Sequence, residues 1–423
     1  MMRWFSLLGG KLSKGTAVLL KKMKRIFQII YKIPIFTLAI PLVLMIRLIR
    51  PWLLVRVSGL MSFRIGHFTA NTELYLCELA AGINVPNQRY VDIFFMIKPI
   101  CNQQLATMWR RILRVWPSWI LIPIFRINQL IPGGKLHQIS TTNRDIHNLY
   151  DRFPANLTFT AEEESRGISN LQAMGLPKGA QFVCLNVRDS AYLDSHIAYD
   201  WSYHNFRDSN IQNFVLAAEA LARRGYFVIR MGAKVHEAIN SSHPRVIDYA
   251  TNGMRSDFMD IYLGAKCLFA ISTGSGWDGI PEIQRRPIVY VNYSPVGYLC
   301  SFRDSTLSIV KHHYSLDLDR ELSLSEIFTV GVGFSLSSSE YKLKGVNLVE
   351  NTPEEIHDAV IEMAERLNVS WVAHTDDQEL QRRFWEIFTA DALSPYAFGP
   401  LHGEIRGRFG ATFLRINSKW FLK

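Results

Sequence analysis

Between residues 182 and 367, apolar runs of strand length alternate with helical segments, and this alternation constrains the fold more than any other feature. FVCLNV (182–187), YFVIRMG (226–232), RVIDYA (245–250), CLFAI (267–271), IVYV (288–291) and GVNLVE (345–350) read as strands. Helices are expected at 161–174, 209–225, 256–265 and 352–367. Gly175 and Gly225 stop the first two, and Thr352 with Pro353 opens the last. Thr160 followed by Glu163 forms a capping-box pattern. Strands alternating with helices build βα units on a parallel sheet, so the expected class is α/β and Rossmann-like. In such sheets ligands lie outside the carboxyl ends of the strands.

One strand end is richest in chemistry. In KCLFAISTGSGWDGIPEIQRRPIVYVN (266–292) a buried strand leads into Ser272, Thr273, Gly274, Ser275 and Gly276, then a short helix and a second strand. Such a turn lets backbone approach a ligand, and a helix start offers unpaired N–H groups and a positive dipole end. This suits phosphate, with Glu282 two turns further on placed to accept from sugar hydroxyls. The plainer reading, caps and a tight turn, stands beside it. Gly274, Gly276 and Gly279 also spell GxGxxG. A dinucleotide fold asks for an acidic residue about 20 positions later. Here the next strand ends in Asn292 and no carboxylate follows before Asp304, which disfavours a dehydrogenase.

The same rule selects Arg188, Asp189 and Asp194 after the first of these strands, and Arg230, Lys234 and His236 at the second. Guanidinium groups beside a Gly/Ser loop suit a diphosphate, because they bind phosphate oxygens as a fork. The aromatic residues Tyr192, Tyr199, Trp201, Tyr203 and Phe206 either stack on sugar rings or pack a loop. His196, His204, His312 and His313 lack an HExxH pattern or an acidic partner at ligand spacing, so no metal is expected. T-G-S-G-W around Ser275 is not a nucleophile elbow. Five cysteines without a CxxC pair suggest neither a disulfide framework nor zinc, and fit a reducing compartment.

The net charge of +10 invites a nucleic-acid reading until it is located. Residues 1–72 hold twelve of the 47 Lys/Arg and no acid, leaving 35 basic against 37 acidic residues in the rest. The body is near neutral, so nucleic acid is not an expected partner. The basic run Lys11–Arg25 precedes an apolar stretch whose cleanest part, Ile33 to Ile46, is 14 residues long and contains Pro34 and Pro41. That is short of the roughly 20 residues of a spanning helix. A membrane-surface segment on the cytoplasmic side is expected, with a buried N-terminal helix as the alternative. The expected divisions are 1–52 (membrane-associating), 53–139 (an α/β domain), 140–160 (a linker), 161–370 (the ligand-binding domain) and 371–423 (a helical tail returning to the first domain). In the first domain LLVRVSG and YVDIFFMI read as strands and 102–113 as a helix. Arg64, Gly66 and His67 fall in a loop before a helix capped by Asn71 or Thr72.

NRDIHNLYDRFP, CLNVRDSAYLD, the run from Tyr226 to Cys267, and ISTGSGWDGIPEIQRRPIVYVN together resemble a family of bacterial glycosyltransferases, and RIGHFTANTELYL extends the likeness toward the N-terminus. That family is similar to GT-B enzymes. NVRDSAY is also distantly similar to the His-x-Arg-Arg-x-Asp motif of O-fucosyltransferases, whose arginine contacts the donor; Arg188 aligns, while Asn186 holds the first position. The resemblance implies two Rossmann-like domains facing each other across a cleft. It further implies a nucleotide-diphosphate sugar as donor and a surface glycan or lipid-linked acceptor, with neither metal nor cofactor. On this reading Arg188, Arg230 and the 272–276 loop hold the diphosphate and Glu282 the ribose or base. His67, and after it Asp189, would be the general base. A polyol-phosphate transferase, a nucleotide-sugar epimerase and an inactive membrane-bound scaffold are the alternatives.

Overall fold

A computed structural model describes residues 34–196, 201–392 and 400–421. The basic run 11–25 and Tyr199 lie outside the described residues. Contacts group the chain into two units.

The smaller unit draws on residues up to Leu60, Pro86–Ile97 and Leu113–Ser140. Its strands β1 (Leu54–Leu60) and β2 (Tyr90–Met96) pair in parallel, with single bridges from Val57 to Gln138 and from Phe94 to Val115. A helix at 34–48 and the Ser118–Leu130 helix cover this sheet through Ala39, Val43, Leu121 and Ile124. Arg56 and Asp92, opposite each other in register, form a buried ion pair at 2.6 Å. Each would be costly alone; together they satisfy one another across the ladder. Pro123 lies inside its helix.

The larger unit takes Met61–Val85, Lys98–Ile112 and everything from Thr141 onward. Its strands are β3 (Phe182–Asn186), β4 (Phe227–Arg230), β5 (Val246–Asp248), β6 (Ala270–Ser272), β7 (Ile288–Tyr293), β8 (Thr306–Val310), β9 (His312–Ser315), β10 (Arg320–Glu321), β11 (Val346–Val349) and β12 (Arg408–Phe409). Seven of them form one sheet in the order β12-β8-β7-β6-β3-β4-β5, every pair parallel. The chain winds outward from β3 through β4 to β5, then returns to the other side of β3 with β6, β7 and β8. This is the doubly wound Rossmann pattern, and its direction reverses between β3 and β6. The expected α/β class with a large parallel sheet is what the chain adopts. β3, β6 and β7 are buried throughout, which explains their near-continuous apolar sequences.

Thr160 and Thr352 each close a full capping box, as their sequences indicate. Other expectations change. β11 is not in the parallel sheet: it pairs antiparallel with β9, which also pairs with β10. The helix expected after Asn71 starts at Ile65, so Gly66 and His67 are in its first turn rather than in a loop. That helix and Gln103–Ile112 group with the larger unit, not with a 53–139 domain. Residues 141–160 also belong there: Asp145 accepts the N–H groups of Leu149 and Tyr150 at 2.7 and 2.8 Å, and Arg144 donates to the carbonyls of Tyr298, Leu299 and Leu401. The Asp377–Ala392 helix packs in the larger unit, where the Phe384 ring centre lies 4.1 Å from that of Phe409, tilted against it, and 6.0 Å from that of Trp420, stacked on it.

Candidate functional site

β3 and β6 are neighbours in register, Asn186 opposite Ser272, so the chain segments leaving both strands emerge side by side at the switch point. The two segments are tied together. The Arg188 N–H donates to Thr273 Oγ1 at 2.9 Å, and the Thr273 N–H donates to the Asn186 carbonyl at 3.3 Å. Asn186 Nδ2 donates to Ser275 Oγ at 2.6 Å and to Asp278 Oδ1 at 3.2 Å. Asp278 also accepts from Ser272 Oγ and from the Ser275 N–H, each at 2.5 Å. Burial pushes its carboxyl up to about 6 against these three donors. Gly274 turns the chain at a φ of 80°, a left-handed conformation that glycine adopts without strain.

The helical segment after the loop is shorter than a full helix: a turn at Gly276–Asp278, then Gly279–Ile283. The Ile65–Ala80 helix is laid directly on it. A Cβ on Gly66 would sit 3.0 Å from Gly276 Cα, and one on Gly279 would sit 2.1 Å from Thr69 Oγ1. Gly276 and Gly279 of the GxGxxG pattern are thus accounted for by close packing against this helix. The first turns of both helical segments meet here, which places two positive dipole ends together.

Arginines complete the arrangement. Arg207, at the end of the turn Ser202–Arg207, donates to the Gly274 carbonyl, while its Nε is buried without a hydrogen-bond partner among the described residues. Arg188 lies 3.1 Å from Asp208, and its buried Nη2 likewise has no hydrogen-bond partner among the described residues. Burial, then the charge of Arg207, holds the Arg188 guanidinium below its usual value. Burial lifts Asp208 to about 6 although Arg188 and Lys311 oppose the shift. His204 falls to about 4 through burial, then repulsion from Arg207, Arg188 and Arg64. Arg64 lies over the Trp201 ring at 5.4 Å, and Trp201, Tyr203 and His204 are stacked or tilted on one another. Arg207 and Arg188 thus repel one another beside the 272–276 loop, which Arg207 reaches by its side chain and Arg188 by its backbone N–H, while Asp208 and Asp189 oppose that repulsion. A dianionic ligand would relieve that repulsion and occupy the buried donors.

The residues selected from the sequence divide. Arg188 and the loop Ser272–Gly276 come together. His67 is half-buried in the first turn that touches Gly276, with Nδ1 3.2 Å from Asn71 Oδ1, and burial holds it below its ordinary value, hence neutral. Asp189 is engaged on the protein itself, accepting the N–H groups of Ala191 and His236 at 3.0 Å each. Arg230 is 1% exposed and paired with Asp248 at 3.3 Å, a register pair of β4 and β5. That pair braces the sheet, while Arg230 Nε is buried with no hydrogen-bond partner among the described residues. Glu282 is half-buried, its backbone carbonyl held by Arg303, and burial raises its carboxyl to about 7 against Arg303 and Arg144. His312 is clamped between Glu321 and Glu355 at 2.7 and 3.0 Å, while the adjacent His313 is buried with Nδ1 at the Lys311 carbonyl. The adjacent histidines therefore serve different partners, and no metal-binding cluster exists among the described residues. Nothing in the sequence selects Arg207 for the loop; the run WSYHNFR stands out only for its aromatic rings.

No family model and no curated relative matches the chain. Solved structures with a similar course include ADP-heptose LPS heptosyltransferase II of E. coli, at 12% identity, 60% of this chain, 90% of that one and a TM-score of 0.39. A family 9 glycosyl transferase of Veillonella parvula shows 12% identity, 76% and 99% coverage and a TM-score of 0.43. The E. coli heptosyltransferase WaaC with ADP-2-deoxy-2-fluoro heptose shows 11% identity, 64% and 96% coverage and a TM-score of 0.32.

Proposed function

We propose that the chain is a bacterial glycosyltransferase of GT-B type that takes a nucleotide-diphosphate sugar at the β3/β6 switch point. The observation that carries this reading is the Arg207 side chain on the Gly274 carbonyl beside Arg188, whose backbone N–H is bound to Thr273, each guanidinium keeping a buried N–H with no hydrogen-bond partner among the described residues. The leaving diphosphate gains charge as the sugar–phosphate bond breaks, and donors already fixed around it favour that state over the ground state. Arg188 then has the donor-contacting role that its sequence motif suggests, while Arg207 replaces Arg230. Glu282 serves the ribose or base. Neutral His67 is the first candidate to take the proton of the acceptor hydroxyl, since a base must be unprotonated to act. Asp189 is second, because its present hydrogen bonds would have to yield. The acceptor is a surface glycan or a lipid-linked intermediate at the cytoplasmic face of the inner membrane, and neither a metal nor a cofactor is required.

Thermal stabilisation against a panel of nucleoside diphosphates and their sugars tests this, because a ligand that binds only the folded state raises the melting temperature. The expected result is a shift with one nucleotide class that Arg188→Ala and Arg207→Ala abolish and Arg230→Ala, compared at equal stability, retains. No shift with any member of the panel, with acceptor lipid present or absent, would overturn the reading. Polyol-phosphate transfer and epimerisation would use the same loop and are separated by product analysis. Binding without sugar release to any acceptor would favour the inactive scaffold.

A further inference from the structure

The 34–48 helix of the smaller unit is apolar on nearly every side, yet only one stripe of it is used. Ala39 and Val43, 3% and 1% exposed, pack into the unit's core. Leu38, Leu44 and Leu48 point outward at 70%, 55% and 73% exposure, and Trp52 follows at 72%. A surface helix in water ordinarily carries polar residues opposite its buried stripe. This one carries leucines.

A second element of the same unit repeats the pattern. The Ser118–Leu130 helix buries Leu121 and Ile124 beside Ala39 and Val43 in one cluster, and leaves Trp119 and Leu130 at 66% and 83% exposure. Trp116, just before it, is 51% exposed. The charges are one-sided. Among the unit's described residues the cations are Arg47, Arg50, Arg56, Arg89, Arg114, Arg126 and Lys135, and the single carboxylate, Asp92, is buried and neutralised by Arg56. Among the described residues no helix is long and apolar enough to cross a membrane.

We propose that this unit docks side-on to an anionic bilayer through the 34–48 and Ser118–Leu130 helices together, with Trp52, Trp116 and Trp119 at headgroup level. Charge complementarity selects this occupant: a surface that exposes leucine and tryptophan among cations, with no exposed acid, matches apolar chains beneath anionic headgroups. Because Ala39 and Val43 are fixed in the unit's core, the 34–48 helix lies along the protein rather than leaving it to span. The docking is built from folded structure, and the basic run at 11–25 adds to it without being its only anchor. The proposal extends the membrane association that the basic N-terminal run suggests but does not depend on sugar transfer.

Flotation of the full chain with vesicles of phosphatidylcholine alone, or with added phosphatidylglycerol, tests it, with nucleotide-induced thermal stabilisation measured in parallel. The expected result is binding to anionic vesicles that falls about tenfold or more in Trp116→Ala/Trp119→Ala, a substitution that leaves residues 1–33 intact. Nucleotide stabilisation should be unchanged, so failure of docking and failure of the donor site are distinguishable. Anionic-vesicle binding equal to wild type in that variant overturns the proposal. So does absence of vesicle binding with a dimer in solution that Trp119→Glu dissociates, which would make the face a contact between copies of the chain.

Discussion

Replacing Gly279 by alanine probes the seat of the Ile65–Ala80 helix on the switch-point loop. The backbone at Gly279 has φ −58° and ψ −19°, helical values that alanine adopts freely, so conformation alone would make the change stabilising by about 0.5–1 kcal/mol. The added methyl, however, would stand 2.1 Å from Thr69 Oγ1 and 3.2 Å from Thr69 Cβ. Thr69 is fully buried, and its hydroxyl is within hydrogen-bonding distance of the carbonyls of Ile65 and Gly66 at 2.9 and 2.8 Å, so it has nowhere to turn. Overpacking of this kind costs about 1–3 kcal/mol, leaving a net loss of roughly 1–2 kcal/mol. Thr69→Ala removes the offending atom, so the double variant should be about as stable as Thr69→Ala alone. Urea unfolding of the four proteins, followed by circular dichroism, yields the coupling directly. A Gly279→Ala protein as stable as wild type, or additive effects in the double variant, would refute the close seating, and with it the placement of His67 beside Gly276.

Two further outcomes test the electrostatics. His312 is raised from 6.5 to about 10 by its bonds to Glu321 and Glu355, against the opposing effect of burial, so its stabilising contribution is complete below pH 6.5 and is lost as the pH rises toward 10. The stability gap between wild type and His312→Gln should therefore narrow over that window, and a constant gap would contradict the clamp. Asp278→Asn presents an amide where two side-chain donors and one N–H converge, and should cost about 1–3 kcal/mol at pH 7 with loss of nucleotide stabilisation; retention of both would show that the loop does not rely on Asp278.

The part of this fold legible in sequence is the part encoded locally. Continuous apolar runs announce β3, β6 and β7, and the threonines at 160 and 352 announce their helices because a capping box is complete within four residues. The Ile65 start is hidden because Arg64 makes no side-chain cap and Gly66 and His67 resemble loop residues. The reason for glycine there is a contact with Gly276, 210 positions away. β11 precedes a well-capped helix just as the parallel strands do, and only its pairing with β9 sets it apart. Arg230 carries two readable signals at once: an arginine in an apolar strand, with Asp248 in the next strand, announces a cross-strand pair as much as a ligand contact. Arg207 carries no local signal, since it lies some twenty residues beyond β3 and reaches the loop only through the folded turn.

The two units alternate along the chain, with exchanges near residues 61, 86, 98, 113 and 141. Synthesis of the protein therefore leaves early segments without their partners. Asn102 binds the Asp257 carbonyl across 155 residues, and Glu73 meets Arg285 across 212. At ribosomal rates of about 5–20 residues per second, the Ile65–Ala80 and Gln103–Ile112 helices wait roughly ten to thirty seconds or longer for those partners. During that interval their inner faces, including Phe68, Leu74, Leu105 and Trp109, have no completed core to enter. A nascent chain in that state is a client for chaperones, and a clone ending near residue 140 would hold it there permanently. Fragments cut near residue 140 should accumulate as insoluble material, whereas the chain of 423 residues closes both units once the later strands emerge.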